Sequence, residues 1–239
     1  MTSSEGDIAP VINEAQLLEQ WKRWLDGIND DIYRLHIDRY YWRELSEMVQ
    51  RNRAIPSPGY IMRWFLRLFL NNVAIGIRRQ AERRGDVITL GRLLHSIRDN
   101  ATIASRKHFV SLYTNEPLGQ RIAQRDFDQF TDPGGEHVAV RIVEADIARL
   151  ESETARVAEY ATKQVAHLDP RYAYPEGVQP TDYPSLVELD AALDVIGRLL
   201  KKYYLLVTAN SLLSPEPTLQ FNWQEAFSVP WCPLDDDDM

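Results

Sequence analysis

"YIMRWFLRLFLNNVAIGIRRQAERR", Tyr60 to Arg84, decides the fold class. Turned at about 100° per residue, it places Arg63, Arg67, Asn71, Ala74 and Arg78 in one narrow stripe. Trp64, Phe65, Leu66, Leu68, Phe69, Leu70, Val73, Ile75 and Ile77 fill most of the remaining circumference. A helix apolar over so much of its surface is expected at the centre of an all-helical protein. Asn72 and Arg79, seven residues apart, fall almost superimposed within the apolar sector and are expected to point into the bundle. An unpaired buried amide costs about 1 to 3 kcal/mol and an unpaired guanidinium far more, so both need partners. One reading is an internal polar network, in which Arg79 pairs with a buried carboxylate and Asn72 bonds another helix's backbone. The other is that Arg78 or Arg79 lines a groove and meets phosphate.

The segments on either side repeat the helical period. "INEAQLLEQWKRWLDGI" sets Leu17, Leu18, Trp21, Trp24, Leu25 and Ile28 at three- and four-residue spacing. "DDIYRLHIDRYYWRELSEMVQR" does the same with Ile32, Ile37, Tyr40, Tyr41, Leu45, Met48 and Val49, which predicts a second helix. Pro58 or Gly59 opens the next, Gly85 closes it, and Thr89 caps "LGRLLHSIRDN". A loop from about Asn115 to Gly135 separates the halves. A long helix then runs to Pro170, and Ser185 caps "LVELDAALDVIGRLLKKYYLLVTANSLL". Neither strand alternation, nor a repeat, nor a glycine-rich phosphate loop is present. The expected fold is an all-α antiparallel helical bundle of one domain, residues 1–239, with a helical core over about 13–212 and a short aromatic, finally acidic tail over 213–239.

With 44% hydrophobic residues the chain can bury a large core, and its single cysteine, Cys232, excludes an intramolecular disulfide and suits a reducing compartment. No basic stretch precedes an apolar run at the start and no apolar stretch is long enough to span a bilayer, so a soluble cytoplasmic protein without a membrane partner is expected. The net charge of -8 is unevenly spread. Arg34 to Lys107 holds fifteen Lys and Arg against six Asp and Glu, and the rest holds twelve against twenty-nine. Such a split fits a polyanion-binding face, in which Arg63, Arg67, Arg78 and Arg79 would meet nucleic acid. It fits equally a set of basic helices packed beside acidic ones.

Of the five histidines, His36, His95, His108 and His137 lack a pattern that suggests chemistry, and no pair has metal-site spacing, so neither a metal nor a cofactor is expected. His167, in "YATKQVAHLDP", differs. Lys163 lies four residues earlier on the same helix face, Asp169 follows, and the approaching helix end favours an imidazolium. His167 either carries a proton or satisfies terminal carbonyls as a C-cap.

"KQVAHLD" late in a long helix, "IRR" followed by "ITLGRLL", and the closing "FNWQEAFSVPW" together resemble the AbiU-like abortive-infection branch of the HEPN superfamily, over most of the chain. The resemblance implies a helical bundle, a homodimer that brings two active sites together, and metal-independent RNA cleavage in antiviral defence. The family's nucleases carry an Arg followed by His after four to six intervening residues; here Tyr160, Ala161 and Thr162 occupy the positions where that Arg would stand. Lys163 could supply the cation, with Arg78 or Arg79 from another helix, although an ammonium lacks the bidentate fork. Two expectations follow. The first is a metal-independent RNA-directed nuclease or toxin using His167. The second is a non-catalytic HEPN-like scaffold that dimerises or joins a defence complex, its basic face binding nucleic acid or a protein partner.

Overall fold

The computed structural model describes residues 13–53, 55, 59–114, 116–167, 183–212 and 221–228. Among the described residues seven α-helices run in order: α1 (Glu14–Arg51), α2 (Gly59–Ala81), α3 (Leu90–Asp99), α4 (Arg106–Ser111), α5 (Pro117–Phe127), α6 (Val140–Tyr160) and α7 (Leu186–Thr208). A π-helical turn, Ala161–Ala166, extends α6, and short 3-10 helices cover Asp128–Phe130 and Trp223–Phe227. One isolated bridge, Ser105 to His137, joins two loops, and the described residues form no strand. The expected all-α fold holds.

Four long helices make the frame, and their cross-contacts fix its direction. Asp31 meets Arg79 and Asp38 meets Asn72, so α1 and α2 are antiparallel. Arg39 reaches Asp194 and Arg43 reaches Asp190, which sets α1 against α7 in the same sense. Asp146 holds Lys202 while Arg156 holds Glu188, which does so for α6 and α7. Tyr160 donates to Asn71 on the remaining side, between α6 and α2. The interior these helices share with α3 to α5 centres on Trp21, Phe109, Phe127, Phe130 and Tyr203.

Caps expected from the sequence are present. Thr89 accepts from the Arg92 amide, and Ser185 with Glu188 completes a reciprocal capping box. Three boundaries differ. The two helices expected before Arg53 are one helix of 38 residues, because Leu17, Trp21, Leu25, Ile28, Ile32 and Leu35 carry the buried stripe straight through Gly27. The loop expected over 115–135 contains α5, which Pro117 starts at a first-turn position where no amide proton is needed. Ala123 and Phe127 bury its inner face, and Arg106 ties the corner by donating to the carbonyls of Gly135 and Gln124 and to Asp128. The last helix stops at Thr208, where Ala209 turns left-handed at φ 57°. The long helix expected to run to Pro170 ends, with its π turn, at Ala166, and His167 is already extended; Pro170, most of the Pro- and Tyr-rich connection and Cys232 lie outside the described residues.

The expected central position of α2 holds only for its second half, where Val73, Ala74, Gly76, Ile77 and Gln80 are buried. Its first twelve residues contain no buried side chain. Asn72 and Arg79 do not point into the core, as expected, but lie at its edge. Asn72 donates to Asp38 at 2.6 Å, a side chain rather than a backbone group, and Arg79 grips the Asp31 carboxylate through Nε and Nη2. The polar residue α2 does bury is Gln80. Its amide nitrogen donates to Asp31 at 2.6 Å and its oxygen accepts from the Leu90 amide at 3.0 Å, locking the start of α3 onto the end of α2.

This inverts the expected cost of mutation. The Arg79 side chain is 49% exposed, so Arg79→Ala is expected to lose less than about 1 kcal/mol in denaturant unfolding. Gln80→Ala strands the buried Leu90 amide and is expected to lose about 2 kcal/mol. A reversed order would place the important contact at Arg79.

Between α1 and α7, Arg39 is buried and donates to Asp194 at 2.6 Å and to His36 Nδ1 at 2.9 Å. Because a guanidinium can only donate, the His36 proton sits on Nε2, which is buried with no partner among the described residues. Burial first, and the Arg39 charge second, hold the His36 pKa down to about 4. The unfolded chain, with His36 near its ordinary value, binds the extra proton between those two pH values. Stability is therefore full above pH about 6.5 and falls as pH drops towards 4. A loss on the order of 2 kcal/mol by pH 5 is expected in unfolding experiments, most of it removed in His36→Gln.

Candidate nucleic-acid interface

The α2 stripe divides into three parts. Arg63 and Arg67 are exposed at its start; Arg63 bonds the Gly59 carbonyl at 3.1 Å and lies 4.6 Å over the Tyr60 ring. Asn71 and Ala74 pack against α6, with the Tyr160 hydroxyl 2.9 Å from Asn71 Oδ1. Arg78, half-buried, lines a shallow groove of about 410 Å³ with Ala155, Ala158, Glu159, Thr162 and Lys163. Arg78 and Lys163, from different helices, thus share one depression, as the sequence reading allowed. Glu82 and Glu159 also line it, so the groove carries both signs of charge.

Among the described residues Arg63, Arg67 and Arg78 take part in no ion pair. Other cations of the basic segment do: Arg39 with Asp190 and Asp194, Arg43 with Asp190, Arg79 with Asp31, and Arg106 with Asp128. The packing reading of the charge split therefore applies to these four residues. Arg79, expected as a phosphate contact, already holds a carboxylate with a two-pronged grip.

At the end of α6 the winding loosens into the π turn, a departure often found where a helix serves a site. Ala161 faces the core, Thr162 donates to the Ala158 carbonyl at 2.8 Å, and Lys163 pairs with Glu159 one turn back. His167 follows in extended conformation, at φ -132° and ψ 145°, with an exposed side chain. It stands at the C-cap position, yet its ring makes no hydrogen bond among the described residues, so it does not satisfy the terminal carbonyls.

Among the described residues no group of three or more His, Cys, Asp and Glu side chains is placed to hold a metal ion, and no helix is long and apolar enough to cross a membrane. The sequence reading missed an aromatic cavity of about 460 Å³ between α1 and α2, flanked by the 3-10 helix Trp223–Phe227. Its signal was present in "YYW" at 40–42 and in the spacing of Phe65 and Phe69, both read only as core. Compared with known protein families, with characterised proteins and with solved structures, the chain matches none.

Proposed function

We propose that this chain is a HEPN-like, cytoplasmic defence or toxin-type protein that acts on RNA, binding it along Arg63, Arg67 and Arg78 and presenting His167 as the proton carrier of a metal-independent cleavage. The observation that carries the reading is the division of the arginines. Among the described residues Arg63, Arg67 and Arg78 form no ion pair, whereas Arg39, Arg43 and Arg79 are held by carboxylates, which leaves the stripe's guanidinium groups able to meet phosphate. The exposed ring of His167 beyond the π turn, without a hydrogen bond among the described residues, supplies a group able to take the 2′-hydroxyl proton. Lys163 is a point charge on the same helix, able to exchange Glu159 for a phosphate oxygen.

Homodimerisation belongs to the same proposal. Tyr60, Ile61, Trp64 and Leu68 are exposed large apolar side chains on the first turns of α2, beside Arg63 and Arg67. Pairing two copies there would cover that surface and bring two arginine stripes together.

A second reading, a non-catalytic scaffold binding nucleic acid or a protein partner, is favoured by one contact: the Lys163 ammonium is engaged by Glu159. Salt titration tests the RNA-directed claim common to both nucleic-acid readings. Affinity for a single-stranded RNA is expected to fall linearly in log–log form with salt, and Arg67→Ala to reduce the slope by about 0.7. Salt-insensitive binding, or an Arg67→Ala slope equal to the parent's, would reject the stripe as the phosphate contact.

A further inference from the structure

The cavity between α1 and α2 has walls of one kind and a floor of another. Trp42 and Phe69 stack at 5.4 Å with their planes 13° apart, and Tyr41 meets Trp223 edge to face at 5.1 Å. Phe65 also lines the wall, and the 3-10 helix is held in place by Gln224 donating to Glu44 at 3.0 Å. Among the described residues that line this aromatic cavity, Asp38 of α1 is the one charged side chain. Its Oδ2 accepts from Asn72 at 2.6 Å; the two residues also line a neighbouring pocket of about 410 Å³ with Arg34 and Arg79, with neither of which Asp38 forms an ion pair. Asn72 points one of its two amide protons at the carboxylate and so fixes the group's orientation.

We propose that this cavity is a binding site for a small organic cation, an ammonium carrying an aryl or branched alkyl group. The volume, about 460 Å³, falls in the range of small-molecule sites, which are largely apolar with a few placed polar groups. Aromatic faces attract a cation through their quadrupoles, and the Asp38 carboxylate, held by a neutral amide, adds a negative charge at their edge. An anion would be repelled by Asp38, and a neutral ligand would leave that carboxylate desolvated and unpaired. Burial raises the Asp38 pKa, against the lowering effect of the Asn72 bond, so its charge is unfavourable there without a cation. A bound ammonium offsets that cost. The site lies apart from the arginine stripe and does not rest on the proposal about RNA, although Leu68 lines it and also belongs to the apolar surface proposed to pair two copies.

The test is titration of the full chain at pH 8 with benzyltrimethylammonium, benzyl alcohol and phenylacetate, followed by tryptophan emission and calorimetry. Saturable binding of the ammonium, at least about tenfold tighter than benzyl alcohol and with none for phenylacetate, is expected. Asp38→Asn keeps the size and the amide contact; it should weaken the ammonium about tenfold or more while leaving benzyl alcohol within twofold. Trp42→Ala should weaken both. Equal affinity for the ammonium and the alcohol, or an undiminished ammonium affinity in folded Asp38→Asn, would overturn the proposal. So would a dimer that keeps the ammonium out at every protein concentration, since the cavity would then be an interface between copies.

Discussion

His167→Ala is expected to leave folding and RNA binding close to those of the parent and to reduce RNA cleavage in EDTA by about 10² to 10⁴, the usual worth of a positioned acid or base. Folding should survive because the ring is exposed and makes no hydrogen bond among the described residues. Binding should survive because the proposed phosphate contacts lie on α2. Lys163→Ala should have a smaller effect, since the ammonium must leave Glu159 to help. Equal cleavage by parent and His167→Ala, with RNA actually cut, would remove His167 from the chemistry and leave the scaffold reading.

Restoring the family's arginine has two routes with opposite outcomes. Ala161→Arg is expected to destabilise by several kcal/mol, on the order of 3 or more, because Ala161 is 0% exposed and the new guanidinium would meet the core. Unfolding midpoints should show this before any activity is measured. Thr162→Arg leaves four residues before His167 and lies in the groove beside Arg78 and Glu159, half-buried rather than enclosed. It should fold and, in an active enzyme, match or exceed the parent. Ala161→Arg as stable as the parent would mean that the π turn repacks and that its burial does not constrain the site.

The residues that were legible in the sequence are those whose role is set by period or by a local cap. The buried stripe of α1, the Thr89 and Ser185 caps and the long α6 follow from spacing alone. Continuity through Gly27 was not legible, because an isolated glycine reads as a break and only packing on α2 and α7 makes the full helix favourable. Asn72 and Arg79 were misplaced for a related reason. The apolar face of α2 is wider than its buried face: Trp64 and Leu68 remain exposed, so the centre of the apolar sector is not the centre of the core. Which arginines keep their charge for a ligand depends on carboxylates more than a hundred residues away, such as Asp190 and Asp194, and composition could only leave both readings open.

The measurement that bears most directly on the RNA-directed claim compares two double variants in binding a fluorescent single-stranded RNA at fixed low salt. Arg67→Ala with Arg78→Ala removes two stripe cations; Arg43→Ala with Arg141→Ala removes two that hold Asp190 and Asp132. All four lie on the surface or its edge, and both variants change net charge by the same amount. The expected result is that the stripe variant loses binding at least about tenfold, as two lost phosphate contacts require, while the control stays within about twofold of the parent. Equal losses in the two variants, or no loss in either, would contradict an RNA site on the α2 stripe.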